Sequence, residues 1–578
     1  LNLKLPSPQS FTLQPEYDFL IVGSGGGSMC AALLAYQAGL KVAILEKRDV
    51  VGGSTGFSGG VWWVPDNHVM KRHGAEDSPD LANRYFDAVV TFVGKGTTPA
   101  RRAAFLEQAP EMIRFLEQQG MKFEYPDGWA DYYDERDGGH SRGRSLMAKP
   151  FDSNKLGPWK DKLSLYGPFR GIPLGSFTMI GMMMLKRTWR AKRIAMRLGL
   201  TILRDKLLGR DVVASGGAIQ ARMLEMTLER NIPVFTGFAT DRLVEEFGRV
   251  VGVEGVHQGQ RQTVRARHGV LINSGGFARN DAMRHKYQRH PVNASWTNAN
   301  PGDTGEMIEE MIRLGAETEN LDAAVWVPTS LNPDGSAPAG SIGKDGSFYP
   351  FMHNADIATP NFIWVDKTGT RFVNEASSYM ELGERMYEVG ATPGFAIFDE
   401  THMRRYPYGP LLPGMKPVKK WLEDGFLIKA DTIEDLASKA GINPAGLRAQ
   451  IQRYNSFAQS GIDEEFHKGE RAYDRFRGDP TIHPNPCMGP IAQAPFYAVR
   501  IFPGDVGTFG GVVTDEVARV LRQDGSIIDG LYATGNCTSS VMGRTYPGAG
   551  ASISPSFTFG YIAAKDIVAK THNAPTRT

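Results

Sequence analysis

Two glycine-rich stretches hold the residue types best suited to chemistry. The first is YDFLIVGSGGGSMCAALLAYQAGLKVAILEKR, in which Gly23, Gly25, Gly26 and Gly27 make a turn and Glu46 closes the next apolar run. Glycines there let backbone N–H groups approach a pyrophosphate at a helix N-terminus, and the acid can accept hydrogen bonds from a ribose diol. The second is GRTYPGAGASISPSFTFGYIAA, Gly543 to Ala564, a glycine turn running into a helix with one small-residue face. Tyr546 leads that turn. A phenol at the head of a loop built for close approach points to a hydroxyl with a role of its own. Metal chemistry is not expected: Cys30, Cys487 and Cys537 lie far apart, and neither CxxC nor HExxH occurs. The histidines of RHKYQRH have no ligand spacing, and Cys537 reads as packing.

The first stretch also has the elements that must position it. Phe19 to Val22 is long enough for one buried parallel strand, Met29 to Leu40 has helical spacing, and Lys41 to Leu45 is a second strand. Strand, glycine turn, helix, strand and acid together make a dinucleotide-binding fingerprint, with Ser28 where a third glycine is usual. More glycine and small hydroxyl residues follow in VVGGSTGFSGGVWWVP, which contains Gly53, Ser54, Thr55, Ser58, Gly59 and Gly60. Later, GVLINSGGFARN runs a strand into Gly275, and IIDGLYATGNCTSSVMG runs another into Gly535 and Asn536. These scattered strand-to-glycine stops resemble the FAD-containing family of fumarate reductase and succinate dehydrogenase flavoproteins, in which such segments line one FAD. The resemblance makes all of these residues, with Ser552, candidate FAD contacts. It implies an α/β fold: a discontinuous Rossmann-like FAD-binding domain over 1–335 and 491–578, with an inserted α+β catalytic cap over 336–490. Leu243 to Val256 reads as a hairpin turning at Phe247–Gly248, and NPGDTGEMIEEMIRLG as a helix capped near Asp303.

Composition is that of a globular protein of two or more domains. At 578 residues, 41% hydrophobic and 22% charged, the chain is neither disordered nor fibrous, and a net charge of +2 gives no case for nucleic-acid binding. No uncharged apolar run reaches membrane-spanning length, and the N-terminal stretch lacks a signal peptide's apolar core. A reducing cytoplasm is the expected location. Lys155 to Arg210 stands apart, with almost no acids over much of its length. On a helix, Lys186, Arg190, Arg193 and Arg197 share one face and Leu185, Trp189, Met196, Leu200 and Leu203 a neighbouring one. That pattern fits a helix lying on the anionic inner face of the cell membrane, or a solvated basic face over a core stripe.

By alignment on TGN, Tyr546 takes the place where fumarate reductases carry a substrate-binding arginine, and PGDVGTFGGVVTD lacks their histidine. A site without those cations does not favour a dicarboxylate, because a buried carboxylate needs a partner. The substrate is expected to be neutral and apolar. TYPGAGAS, GGSTGFSGGVWWVP, ADYYDERDGGHSRGRS and RFVNEASSYM together resemble the 3-ketosteroid Δ1-dehydrogenases. That family removes hydrogens from C1 and C2 of a 3-keto-4-ene steroid, with the hydride passing from C1 to flavin N5. The resemblance makes Tyr546 and the Gly550 N–H donors to the C3 carbonyl and Tyr379 the acceptor of the C2 proton. Tyr132 becomes its support, in preference to Tyr133. Trp62, Trp63, Phe348, Tyr349, Phe351 and Phe362 are candidate walls for the steroid body. Arg142 and Arg144 are either phosphate ligands or structural pairs. Two alternatives stay open: a Δ4-(5α)-dehydrogenase of the same fold, and a flavin-fold protein that binds a lipid or partner without catalysis. A sterol ketone that keeps its side chain suits the insertion, and a quinone suits a membrane-attached enzyme as electron acceptor.

Overall fold

The computed structural model describes residues 5–166, 173–342, 346–354, 356–409 and 411–573; residues 167–172 of the basic insertion lie outside these. The Glu16–Val22 strand lies parallel between Val42–Glu46 and Gln260–Ile272. Their apolar runs are unbroken because both faces of a parallel sheet are covered. Ile527–Ala533, from the last tenth of the chain, pairs in parallel with Gln260–Ile272. The sheet order is Arg519–Leu521, Ile527–Ala533, Arg249–His257, Gln260–Ile272, Glu16–Val22, Val42–Glu46, Val234–Thr236. The predicted hairpin is present as Phe238–Glu246 paired with Arg249–His257. Its turn places Phe247 at φ 51° and Gly248 at φ 79°, the left-handed pair that matches strand twist.

Register brings the glycine stops together. Val22 stands opposite Ile272, and Ile272 opposite Ala533, so three strands end side by side just before Gly23, Asn273 and Thr534. Ligands bind at such carboxyl ends in open α/β sheets. The Gly26–Gln37 helix leaves this edge and packs against the Ile553–Asn573 helix through small residues. A Cβ on Gly27 would fall 2.3 Å from the Ser556 carbonyl oxygen, and one on Gly560 2.5 Å from that of Gly27.

A second, antiparallel sheet has the order Phe362–Val365, Gly394–Asp399, Phe496–Ile501, Leu427–Ala430. The helices Ile433–Ala440 and Pro444–Ser460, capped by Thr432 and Asn443, pack on one face of it. Two details depart from the sequence reading. The helix expected to start at Asp303 starts at Glu306, after Gly305 at φ 83°, and Asp303 is not its cap. In the insertion, helices run over Ser176–Met182 and Trp189–Leu207, so Leu185 and Lys186 fall in the turn between them. Thr188 accepts a hydrogen bond from the Ala191 N–H, which fixes that later start.

Candidate active site

One cavity of about 280 Å³ runs from the strand ends to Tyr132, Tyr379 and Tyr546. Gly23, Gly25, Glu46, Gly53, Ser54, Thr55, Ser58, Gly59, Gly275, Gly535, Asn536 and Ser552 line it, as do Tyr132, Tyr379, Tyr546 and Gly550. Gly26, Gly27 and Gly60 do not. At these three a Cβ would strike the Phe557 ring, the Ser556 carbonyl and the Ser215 backbone, so their smallness serves packing.

The dinucleotide end is built from backbone and carboxylates. No side chain caps the Gly26–Gln37 helix at Gly25, and the Gly26 N–H donates to Thr55 Oγ1 at 3.0 Å. The helix terminus therefore keeps its positive end toward the cavity, which suits a pyrophosphate. Ser28 is accommodated by a 2.9 Å hydrogen bond with the Asn273 amide. Buried Glu46 accepts from the Ser24 N–H and Oγ and from the Arg48 N–H, and burial raises its pKa. Asp303, read in the sequence only as the start of a helix, is a second buried carboxylate here. It accepts from Ser54 Oγ at 3.1 Å, and burial pushes its pKa up to about 6. The donor set and the glycine floor fit a bound FAD.

At the other end four phenols meet. Tyr132 donates to the Tyr379 hydroxyl at 3.2 Å, with ring centres 5.5 Å apart. Tyr546 lies 5.4 Å from the Tyr379 ring and 5.8 Å from that of Tyr132, and its hydroxyl is 2.9 Å from Ser552 Oγ. Tyr473, the fourth, packs 4.4 Å from Tyr132. Burial, reinforced by the neighbouring phenols, pushes the pKa values of Tyr132 and Tyr379 up, and Arg477 opposes that push at Tyr132. Gly550 takes φ 99°, and a Cβ there would lie 2.4 Å from the Val61 carbonyl oxygen. Glycine is required at that position. Tyr133 does not line the cavity, and its N–H donates to the Tyr85 hydroxyl.

The loop that carries Tyr132 is clamped on three sides. Its N–H donates to the Pro547 carbonyl, within the Tyr546 turn. Asp131 accepts from Trp63 Nε1 and from buried Arg144, which also pairs with Asp77. Asp134 accepts from the N–H groups of Ala472 and Tyr473, at the start of the Ala472–Phe476 helix. Arg144 is thus structural, and Arg142 pairs with Asp127 at the surface, so neither lies in the cavity wall. The expected aromatic walls also move. Trp62 and Trp63 are fully buried core, Phe362 is buried within the second sheet, and Phe351 packs on Trp421 and Phe426. Phe348 and Tyr349 also lie outside the lining, which is supplied by Phe57, Trp129, Tyr166, Met179, Ile180 and Met352. Alternation and aromatic content could not separate these sets, because core and cavity walls have the same composition. Three cations line the cavity, Lys47 and Arg48 beside Glu46 at the dinucleotide end and Arg477 at the phenol end, the last against the expectation of a substrate site without any.

A family model described as an FAD binding domain matches residues 18–553. A 3-oxosteroid 1-dehydrogenase of Mycolicibacterium smegmatis is 40% identical over 574 residues, covering 96% of this chain and 97% of that protein. The chain belongs to the FAD-dependent 3-oxosteroid 1-dehydrogenase family. A crystal structure of the 3-ketosteroid Δ1-dehydrogenase from Sterolibacterium denitrificans, in complex with 1,4-androstadiene-3,17-dione, matches with a TM-score of 0.88 and 35% identity. That match covers 96% of this chain and all of the other. A 4-oxocyclohexanecarboxylate 2-dehydrogenase of Sinomonas cyclohexanicum is 31% identical over 96% of this chain and 93% of its own. Membership of this family makes FAD the cofactor, in agreement with the fit of the strand-end cavity.

Proposed function

We propose that the protein catalyses the FAD-dependent 1,2-dehydrogenation of 3-keto-4-ene steroids to 1,4-diene-3-ketones. The observation that carries this reading is the convergence of Tyr132, Tyr379, Tyr546 and Gly550 at one end of a cavity whose other end suits a dinucleotide. Tyr546 Oη–H and the Gly550 N–H donate to the C3 oxygen, so charge developing there is met by two preorganised donors. Tyr379 then takes the C2 proton, with Tyr132 holding its hydroxyl in place. Bound FAD supplies the acceptor for the C1 hydride. The apolar walls exclude water and hold the steroid body in register with these groups.

Turnover of androst-4-ene-3,17-dione and cholest-4-en-3-one with an artificial electron acceptor tests the reading. The expected product is the 1,4-diene. FAD-loaded protein that turns over neither ketone would refute it. Oxidation of a saturated 5α-ketone at C4–C5 instead would favour the Δ4-(5α) alternative. The division into an FAD-binding part, 1–335 with 491–578, and a catalytic cap, 336–490, belongs to the same proposal, although the second sheet takes its Phe496–Ile501 strand from beyond residue 490.

The Trp189–Leu207 helix supports peripheral attachment to an anionic membrane surface. Trp189, Met196, Leu200, Leu203 and Leu207 are all more than half exposed and recur at helical spacing, beside Arg190, Arg193 and Arg197. No helix among the described residues is long and apolar enough to cross a membrane. Attachment at the inner face of the cell membrane would bring the enzyme to a sterol ketone and to a quinone acceptor. Co-sedimentation with anionic vesicles at low salt is expected for the protein and is expected to be lost in Leu200→Asp/Leu203→Asp. Equal sedimentation of both would sink the assignment.

A further inference from the structure

Arg477 follows the Ala472–Phe476 helix, is 5% exposed, and lines the cavity beside the phenols. It donates through Nη1 to the Asn354 carbonyl, while its buried Nε has no partner. Among the described residues it forms no ion pair, whereas nearby Arg471 pairs with Asp474. Its guanidinium carbon lies 5.6 Å from the centre of the Tyr473 ring, which in turn lies 4.4 Å from the Tyr132 ring. A buried cation without a carboxylate is costly unless an anion forms beside it.

The reaction proposed above calls for such an anion. Tyr379 accepts a carbon-bound proton well only as a phenolate, because the neutral phenol has no strong basic site. Its hydroxyl is bonded to Tyr132, so charge on one phenol is shared by hydrogen bonding with the other. We propose that Arg477 is a positioning residue for the base, holding its positive charge against the ionised Tyr132–Tyr379 pair. This rests on the dehydrogenase reading. The proton balance is simple. The pair loses one proton to solvent before turnover, and Tyr379 gains the C2 proton as the C–H electron pair moves into the enolate.

The groups facing the pair are Tyr473, Tyr546 and Arg477, of which Arg477 has the positive charge. It acts on Tyr132 in the direction of ionisation, against burial and the other phenols.

The test is the pH dependence of kcat and kcat/KM from pH 6 to 10 for wild type, Arg477→Gln and Arg477→Lys, each loaded with FAD. Two substrates are compared, androst-4-ene-3,17-dione and a 4-ene-3-ketosteroid with a side-chain carboxylate. For Arg477→Gln the acid limb is expected to move up by roughly one to two pH units, the size of a unit-charge interaction over several ångströms at an effective dielectric near 20. Activity near pH 7 then falls roughly 10- to 100-fold and recovers toward pH 10. Arg477→Lys keeps the charge, and its limb is expected to stay near that of wild type. Equal loss at every pH, or an unmoved limb, overturns the proposal, as does a loss confined to KM for the carboxylate substrate. If Arg477→Gln does not fold, ultraviolet titration of FAD-loaded wild type and Tyr379→Phe decides: a phenol ionising below pH 10 in wild type and missing in the variant supports it, and none overturns it. Absence of any 1,4-diene from wild type would instead refute the dehydrogenase reading.

Discussion

Replacing Tyr546 by phenylalanine removes one oxygen and leaves nearly everything else in place. The ring is buried, 5.4 Å from Tyr379 and 5.8 Å from Tyr132, and those contacts do not need the hydroxyl. The bond lost from the protein itself is the 2.9 Å contact with Ser552 Oγ, whose net contribution is about 1 kcal/mol. The melting temperature should therefore fall by no more than ~2–4 °C. Catalysis should suffer far more. One donor to a developing oxyanion in a water-excluded site contributes roughly 3–4 kcal/mol, or about 10²- to 10³-fold in rate. Because the enolate oxygen is a stronger acceptor than the ketone, kcat should fall more than KM rises. The assay is steady-state turnover of androst-4-ene-3,17-dione with an artificial acceptor, normalised to FAD content from the flavin absorbance. Turnover within about threefold of wild type at equal FAD content would remove Tyr546 from the carbonyl site and leave the Gly550 N–H without its partner donor.

Two other perturbations probe the cofactor end. A Cβ on Gly25 would stand 3.5 Å from Asn273 and 3.6 Å from Thr55, ordinary contact distances, so Gly25→Ala should fold. Its methyl enters the cavity floor, and FAD affinity should drop by roughly tenfold or more, as overpacking by ~1–3 kcal/mol requires; unchanged FAD retention on dilution would refute the placement. Asp303 has a folded-state pKa of about 6 against an ordinary 3.8, so its contribution to stability is present below pH 4 and is lost as pH rises through 6. The flavin-depleted Asp303→Asn variant should match wild type in melting temperature near pH 3.5 and exceed it at pH 8, by an amount equivalent to at most ~3 kcal/mol. A melting-temperature difference independent of pH would count against a buried, ionising carboxylate.

The sequence by itself determined the sheet and the cofactor. Parallel strands buried on both faces must be continuous apolar runs, and the turns after them must be glycine where the backbone is left-handed, as at Gly23 and Gly275. Such local rules are visible in Phe19–Val22 or GVLINSGG without knowledge of any partner. The hairpin at Phe247–Gly248 was legible for the same reason. Family motifs pointed to Tyr379 and Tyr546, yet nothing in DYY distinguishes its two tyrosines. The three-sided clamp on Asp131, Tyr132 and Asp134, through Trp63, Arg144, Pro547 and Ala472, sets the Tyr132 hydroxyl against that of Tyr379. Asp303 looked like a helix cap because carboxylates precede helices often; Gly305 took the cap and freed the acid for Ser54. Trp62 and Trp63 looked like steroid walls because aromatic residues serve core and cavity alike, and only packing separates them. Arg477 and Tyr473, in RAYDRFRGDP, had no local signal at all. Their position beside the phenols comes from a segment more than three hundred residues away from Tyr132 in sequence being folded against it, a distance over which composition and periodicity carry no information.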